Sequence, residues 1–189
     1  NMWVQTPLEI LDLIYKEHPF TAEEVKAIKI SPFTTLTAND YTKTAKKTLD
    51  AQFNAPFCLA AYVLNPVPGG HWFTEEQLER KEVIELASKI TEHGKIVTPN
   101  DNFDKFKQGS FPTMTIDVEL KDGTVLSRTE AYPKGHPRNN TTLEEEYELF
   151  KNITTPYLGA EQAETFIEAV KNLEHLESLE QAAKNLVRK

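Results

Sequence analysis

The clearest pattern in the chain is an alternation of apolar and polar residues between positions 112 and 129. Met114, Ile116 and Val118 alternate with polar residues, which is typical of a strand with one buried face. Asp122-Gly123 follows, and this dipeptide between alternating runs favours a tight type I′ hairpin turn. A second, shorter alternation at residues 27–30 predicts an isolated strand. The sequence therefore predicts one hairpin and at least one further strand.

Helical periodicity covers most of the remaining chain. Four segments begin with Thr followed three residues later by Glu or Gln, which is the capping-box signature of a helix start; they begin at Thr6, Thr21, Thr74 and Thr142. The first predicts a helix over residues 7–18. Asn54 is expected to cap a nearly all-apolar, buried helix, and apolar stripes predict helices near 75–80 and 82–90 and two more at the C-terminus.

Helices that surround a hairpin without regular βαβ alternation indicate the α+β class. We expect a two-layer sandwich in which helices cover a small antiparallel sheet, with further helices at the C-terminus. Neither an internal repeat nor a linker interrupts the sequence, so residues 1–189 are expected to form a single domain.

Composition narrows the class of protein. Hydrophobic residues make up 39% and charged residues 26% of the 189 positions, which are globular values. The net charge of -8 argues against a nucleic acid or an anionic membrane as partner, because phosphate groups need a basic surface. With one cysteine and no signal segment, we expect a cytoplasmic protein.

Common catalytic and metal motifs do not occur. There is no Walker loop, GxGxxG or GxSxG, and the five histidines lack metal-ligand spacing, so a metal site is not expected. The single thiol, Cys58, lies among apolar residues and is interpreted as a core residue rather than a nucleophile.

One cluster has a physical argument for ligand binding. Lys134, His136 and Arg138 place three cationizable groups within five residues, in a Gly/Pro loop that leads to the helix predicted at Thr142. A helix N-terminus favours anions, and neighbouring cations add to this effect. The cluster is therefore a candidate site for a carboxylate-rich ligand; the alternative is a solvated surface loop.

Several stretches in a fixed order resemble the C-terminal domain of the MmgE/PrpD family, which includes 2-methylcitrate dehydratase, cis-aconitate decarboxylase and iminodisuccinate epimerase. The matching pieces are Trp3-Val4-Gln5-Thr6-Pro7-Leu8, Ala51-Gln52-Phe53-Asn54-Ala55-Pro56-Phe57, Phe111-Pro112, Asp122-Gly123, Lys134-Gly135-His136-Pro137 and Asn172-Leu173. The resemblance implies that this chain is the smaller α+β lid of a two-domain enzyme whose helical N-terminal domain is absent. It implies lyase or isomerase chemistry on polycarboxylic acids without metal or cofactor.

The resemblance also assigns expectations to single residues. The acid and base groups of the family come from the helical domain and from a Lys/His segment upstream of the lid, so this chain is expected to carry no catalytic residue. Phe57 stands where many members carry Tyr and has no hydroxyl for proton transfer. Gln5 and Gln52 join Lys134, His136 and Arg138 as substrate-binding candidates.

Two hypotheses of different classes follow. In the first, the chain is the lid of an enzyme and closes over a site supplied by a helical partner domain, from the same gene or a split gene; it is inactive alone, and the resemblance implies a homodimer. In the second, it is a free-standing binding or interaction domain that keeps the fold without catalysis. A third possibility, an independent enzyme that uses Cys58 or His136, has little support in the sequence.

Overall fold

The helices and strands form in the order that the hydrophobic pattern indicates. A computed structural model describes residues 2–31, 45–93, 108 and 113–187, with the side chains of residues 2 and 3 excepted. The elements are α1 (Met2–Glu17), β1 (Val25–Ser31), α2 (Thr48–Gln52), α3 (Ala55–Leu64), a 3-10 turn (Gly70–Phe73), α4 (Glu75–Glu79), α5 (Lys81–Ala87), β2 (Ile90–Glu92), β3 (Met114–Leu120), β4 (Val125–Glu130), α6 (Leu143–Leu158), α7 (Ala160–Lys171), a 3-10 turn (Leu173–His175), α8 (Glu180–Ala183) and a last 3-10 turn (Lys184–Leu186). The matching motif Phe111-Pro112 lies outside the described residues.

The chain is built as two compact units. Unit 1 comprises Asn1–Pro66 and His71–Asn140, and unit 2 comprises Val67–Gly70 and Thr141–Lys189. Unit 1 holds the sheet and α1 to α5, whereas unit 2 holds α6 to α8. The organisation of residues 1–189 as one domain stays a prediction.

A four-stranded sheet with the order β2-β1-β3-β4 forms the base of unit 1. Ile28 lies opposite both Ile90 of β2 and Val118 of β3, and Ile30 lies opposite Ile116. Because directly paired residues point to the same side of a sheet, these side chains form one continuous apolar face, and all of them are buried. Helices α1 and α3 belong to the same core. The α+β class is therefore confirmed.

The sheet is mixed, which corrects the expectation of an antiparallel one. β3 pairs antiparallel with β1 and β4, but β2 pairs parallel with β1. The sequence predicts that Ile90 ends the helix that begins near residue 82. That helix ends at Ala87, and the chain then joins the edge of the sheet. A parallel pair requires a long crossover, and the segment that contains α2 to α5 supplies it.

The hairpin between β3 and β4 forms, but its turn differs from the predicted type I′ turn. The only residue of the turn with positive φ is Gly123, at 94°, whereas type I′ requires positive φ at both central positions. The N–H of Gly123 donates to the carbonyl of Leu120, and Leu120 N–H donates to the carbonyl of Thr124. The loop is therefore a three-residue connection that ends in a left-handed glycine.

The predicted helix caps have mixed outcomes. The Asn54 side chain accepts the N–H of Phe57, and Thr142 and Glu145 form a reciprocal capping box, so these two starts are confirmed. Thr6 is not a cap, because α1 already begins at Met2 and Thr6 lies buried inside it. Among the described residues, no helix is long and apolar enough to cross a bilayer.

Unit 2 is a small helical assembly. Gly159, with a φ of 85°, connects α6 to α7, and the rings of Phe150 and Phe166 stack at a centroid distance of 5.1 Å. The side-chain amide of Gln162 donates to the carbonyls of Asn185 and Val187, each at 2.7 Å, which fixes the last described turn against α7.

Candidate functional site

The loop after β4 folds around the ring of Tyr132. The imidazole of His136 stacks on this ring at a centroid distance of 4.5 Å and an angle of 24°. Nη1 of Arg138 donates to the Tyr132 hydroxyl at 2.7 Å, and the guanidinium carbon lies 5.4 Å from the ring centroid. One aromatic side chain therefore holds two of the three residues that the sequence selected.

Backbone contacts close the same loop. Gly135 has a φ of 83°, and its N–H donates to the carbonyl of Asn139 at 2.9 Å. The side-chain amide of Asn139 donates to the carbonyl of Tyr132 at 2.9 Å. A residue with a Cβ would be strained at the φ of Gly135, so this glycine is required for the tight return of the chain. We call residues 132–140 the anion loop below, after the class of ligand that the sequence predicts for it.

His136 enters the loop as a hydrogen-bond acceptor. The backbone N–H of Arg138 donates to its Nδ1 at 3.1 Å, which requires a lone pair on that nitrogen. The other two cationizable residues of the loop, Lys134 and Arg138, are exposed.

Lys134 lies near α1. Its Nζ lies 3.5 Å from the carbonyl of Asn140, at the limit of a hydrogen bond. Burial raises the pKa of Glu9 on α1, and the neighbouring Asp12 raises it further, whereas Lys134 and Lys16 act in the opposite direction.

Glu9 belongs to a row of polar residues along α1. Gln5 lies one turn before it and is exposed, and Asp12 lies three residues after it. Asp12 accepts a hydrogen bond of 2.7 Å from the hydroxyl of Tyr62, a buried residue of α3, and forms an ion pair of 2.7 Å with Lys16. Burial raises the pKa of Tyr62, and the hydrogen bond to Asp12 raises it further, so this phenol is a poor proton donor.

The remaining predicted residues lie elsewhere in unit 1. Gln52 is exposed at the end of α2, and the structure shows no contact between it and the anion loop within the described part of the chain. Phe57 is buried in the first turn of α3, and its ring lies 6.2 Å from that of Phe73. The structure thus brings His136 and Arg138 together on the side chain of Tyr132, with Lys134 in the same loop and Gln5 on α1.

The helix that follows the anion loop begins with acidic residues. Its first turn carries three glutamates, Glu144, Glu145 and Glu146. The N–H of Thr142 donates to Glu145, and the hydroxyl of Thr141 donates to Glu146 at 2.5 Å. Glutamates in the first turn of a helix reduce its attraction for a further anion.

Cys58 is a core residue, as the sequence predicted. Its Sγ donates to the carbonyl of Ala51 at 3.3 Å, and burial raises the pKa of the thiol to about 12. In the part of the chain that the structure describes, no three His, Cys, Asp or Glu side chains come together as a metal-ligand group.

Sequence reasoning missed Tyr132 and Glu9. Tyr132 had a local signal, because it stands two residues before Lys134 in the same Gly/Pro loop. Glu9 gave only a weak signal: it and Asp12 are carboxylates three residues apart among the apolar residues of α1. The effect of Lys134 on the pKa of Glu9 depends on how α1 and the loop meet in the folded chain.

Comparisons with known proteins agree over most of the chain. The family model of the MmgE/PrpD C-terminal domain matches residues 2–175. Cis-aconitate decarboxylase from Homo sapiens is 35% identical over 106 residues, which cover 56% of this chain and 20% of that protein. The chain therefore matches only about a fifth of the length of this curated relative.

Proposed function

This chain belongs to the MmgE/PrpD family, and from that premise we propose that it is the lid domain of an enzyme that acts on small polycarboxylic acids by dehydration, decarboxylation or epimerisation. The observation that carries the proposal is the anion loop, in which Tyr132 holds Arg138 four residues after Lys134. The relative named as a cis-aconitate decarboxylase supports the class of ligand, since cis-aconitate is a tricarboxylate.

The anion loop has the chemistry that such a ligand requires. A guanidinium has five N–H donors, so the hydrogen bond from Nη1 to Tyr132 is compatible with a second, bidentate partner on the other edge. Lys134 adds a point charge four residues away. Because the chain carries a net charge of -8, these two cations supply the local attraction that the overall field does not.

The role proposed for the loop is to bind and orient the carboxylates that do not react. No acid or base is assigned to this chain: Phe57 has no hydroxyl, and the phenol of Tyr62 is held by Asp12. The groups that move protons are therefore proposed to come from the helical domain, over which this chain closes. We expect the isolated chain to bind the acid without turning it over.

The first test measures binding of citrate, as a tricarboxylate probe, by isothermal titration calorimetry. Arg138→Ala should raise the Kd about tenfold, because one charge-assisted contact at an exposed site is worth roughly 1–1.5 kcal/mol. The effect should shrink as salt is added. Arg80→Ala removes the same charge outside the loop and should leave the Kd within about twofold. Equal affinities of the wild type and Arg138→Ala would contradict the proposal.

The second test asks for catalysis. The isolated chain and an assembled complex with a helical MmgE/PrpD N-terminal domain are assayed with 2-methylcitrate and cis-aconitate. Turnover by the complex alone supports the lid role. Citrate binding without turnover in a demonstrably assembled complex would instead favour the second candidate, a binding domain that keeps the anion loop and performs no chemistry.

A further inference from the structure

Helix α6 carries an apolar face that is open to solvent. The structure describes all 16 of its residues, and none of them is buried. Leu149, Ile153 and Tyr157 stand four residues apart, so they form a row along one side of the helix. Their exposed fractions are 44%, 41% and 54%. We call this row the α6 face below.

The α6 face lies opposite the side of the helix that contacts α7. Nζ of Lys151 lies 2.8 Å from a carboxylate oxygen of Glu164, and the ring of Tyr147 lies 5.0 Å from Nζ of Lys171. Tyr147 and Lys151 each stand two residues from Leu149, which places them about 160° around the helix from it. Most helices in proteins are stabilised by packing of an apolar face, but α6 leaves its apolar row exposed.

The two ends of α6 differ in charge. Residues 152–158 contain no charged side chain, whereas the first two turns carry four glutamates, Glu144, Glu145, Glu146 and Glu148. Residues 141–189 as a whole contain ten Glu and five Lys or Arg. A partner that fits the α6 face therefore has apolar residues along its length and Lys or Arg beside the first two turns.

A second copy of this chain does not have that chemistry. The only basic residue of α6 is Lys151, and its Nζ lies 3.1 Å from Glu148 and 2.8 Å from Glu164. A two-fold contact between two α6 faces would add four more glutamates and one lysine that already has two carboxylate partners. The occupant is therefore expected to be a different helix.

The family offers such an occupant. The chain matches the C-terminal domain of the MmgE/PrpD family, and the aligned region is only 20% of the human cis-aconitate decarboxylase. We propose that the α6 face docks an amphipathic helix of the N-terminal domain, with Lys or Arg of that helix beside Glu144–Glu148. This inference rests on the part of the proposed function that assigns a helical partner domain. It adds that unit 2 makes the contact, whereas the anion loop belongs to unit 1.

The experiment measures docking of this chain to the N-terminal domain of human cis-aconitate decarboxylase by analytical ultracentrifugation. Ile153→Glu places a charge in the apolar row and should raise the Kd at least about tenfold. Glu144→Lys should raise it about threefold, and this effect should shrink as salt is added. Leu49→Glu makes the apolar-to-acidic change at a leucine of unit 1 that is 65% exposed, and it should leave the Kd within about twofold.

A second readout locates the contact on the wild-type chain. In the complex, the amide hydrogens of residues 149–157 should exchange at least about tenfold more slowly than in the chain alone. Circular dichroism checks that Ile153→Glu folds. If it does not, Tyr157→Ser takes its place, because it removes the most exposed side chain of the row and adds no charge.

The outcomes separate this inference from the proposed function. If the wild type forms no complex, the lid role and the docking site fail together. If the complex forms but Ile153→Glu docks as tightly as the wild type, only the docking site fails. Self-association of the chain alone that Ile153→Glu abolishes would assign the α6 face to a second copy and overturn the inference. Citrate binding should be unchanged in Ile153→Glu, because the anion loop lies in unit 1.

Discussion

Tyr132 is the best single position at which to test whether the anion loop is preformed. Tyr132→Phe keeps the ring on which His136 stacks and removes only the hydroxyl that accepts Nη1 of Arg138 at 2.7 Å. Holding a flexible side chain before binding is worth about 0.5–1.5 kcal/mol, and the lower half of this range applies because Arg138 is exposed. We expect the Kd for citrate to rise about two- to fivefold.

A larger change at the same position separates the two contacts. Tyr132→Leu also removes the stack on His136, which adds roughly 0.5 kcal/mol of lost interaction. The Kd should therefore rise further than in Tyr132→Phe. Calorimetry at low ionic strength measures both variants, and Tyr157→Phe, at an exposed tyrosine of α6, serves as the matched control.

A double-mutant cycle decides whether the hydroxyl acts through Arg138. In the background of Arg138→Ala, Tyr132→Phe should have no further effect, because the group that the hydroxyl positions is gone. The reasoning is refuted if Tyr132→Phe binds citrate as tightly as the wild type. It is also refuted if the loss is the same in both backgrounds, since the hydroxyl would then act independently of Arg138.

Two further predictions concern the core beneath the site. Leu59→Ala, at a fully buried position of α3, should lower the free energy of unfolding by about 2–5 kcal/mol in urea denaturation. Leu149→Ala, at a position that is 44% exposed, should lower it by less than about 1 kcal/mol. Similar losses in both variants would contradict the described packing. Burial raises the pKa of the Cys58 thiol from an ordinary 9.0 to about 12, so above pH 9 the folded chain keeps a proton that the unfolded chain loses. The free energy of unfolding should therefore fall as the pH rises from about 9 to 12. At pH 8 a thiol reagent should label Cys58 only after unfolding, and rapid labelling of the native protein would disprove its burial.

The parts of the fold that the sequence predicted are those with a local signal. The alternation of Met114, Ile116 and Val118 defines β3 because each inward side chain meets the same core. Asn54 marks the start of α3 because its side chain satisfies an N–H that the helix leaves unpaired. Both signals lie within a few residues of the feature that they predict.

The parts that the sequence did not predict depend on contacts between distant segments. β2 has three residues, and Ile90 continues the apolar stripe of the preceding helix, so only its pairing with Ile28 makes it a strand. Thr6-Pro7 resembles a cap and its first helical residue, so the sequence predicts that α1 starts at residue 7. The helix begins at Met2 instead, and Thr6 is buried within it.

The same distinction applies to the candidate site. The sequence identified Lys134, His136 and Arg138 as one cluster because they lie within five consecutive residues. It did not predict their arrangement, because the stack on Tyr132 and the hydrogen bond to Nδ1 of His136 depend on the path of the backbone. The sequence suggested three cationizable groups, and the geometry shows that two of them, His136 and Arg138, contact the side chain of Tyr132.

The strand order has a consequence for folding during synthesis on the ribosome. β1 lies in the middle of the sheet, but its partner residues in β3 come much later, as with Lys29 and Glu119, which are 90 residues apart. At 5–20 residues per second, β1 waits roughly 5–18 seconds for that partner to be synthesised. During this interval Val25, Ile28 and Ile30 lack the neighbouring strand β3, beside which they are buried in the folded protein. The nascent chain therefore presents a short apolar segment to chaperones well before it can fold.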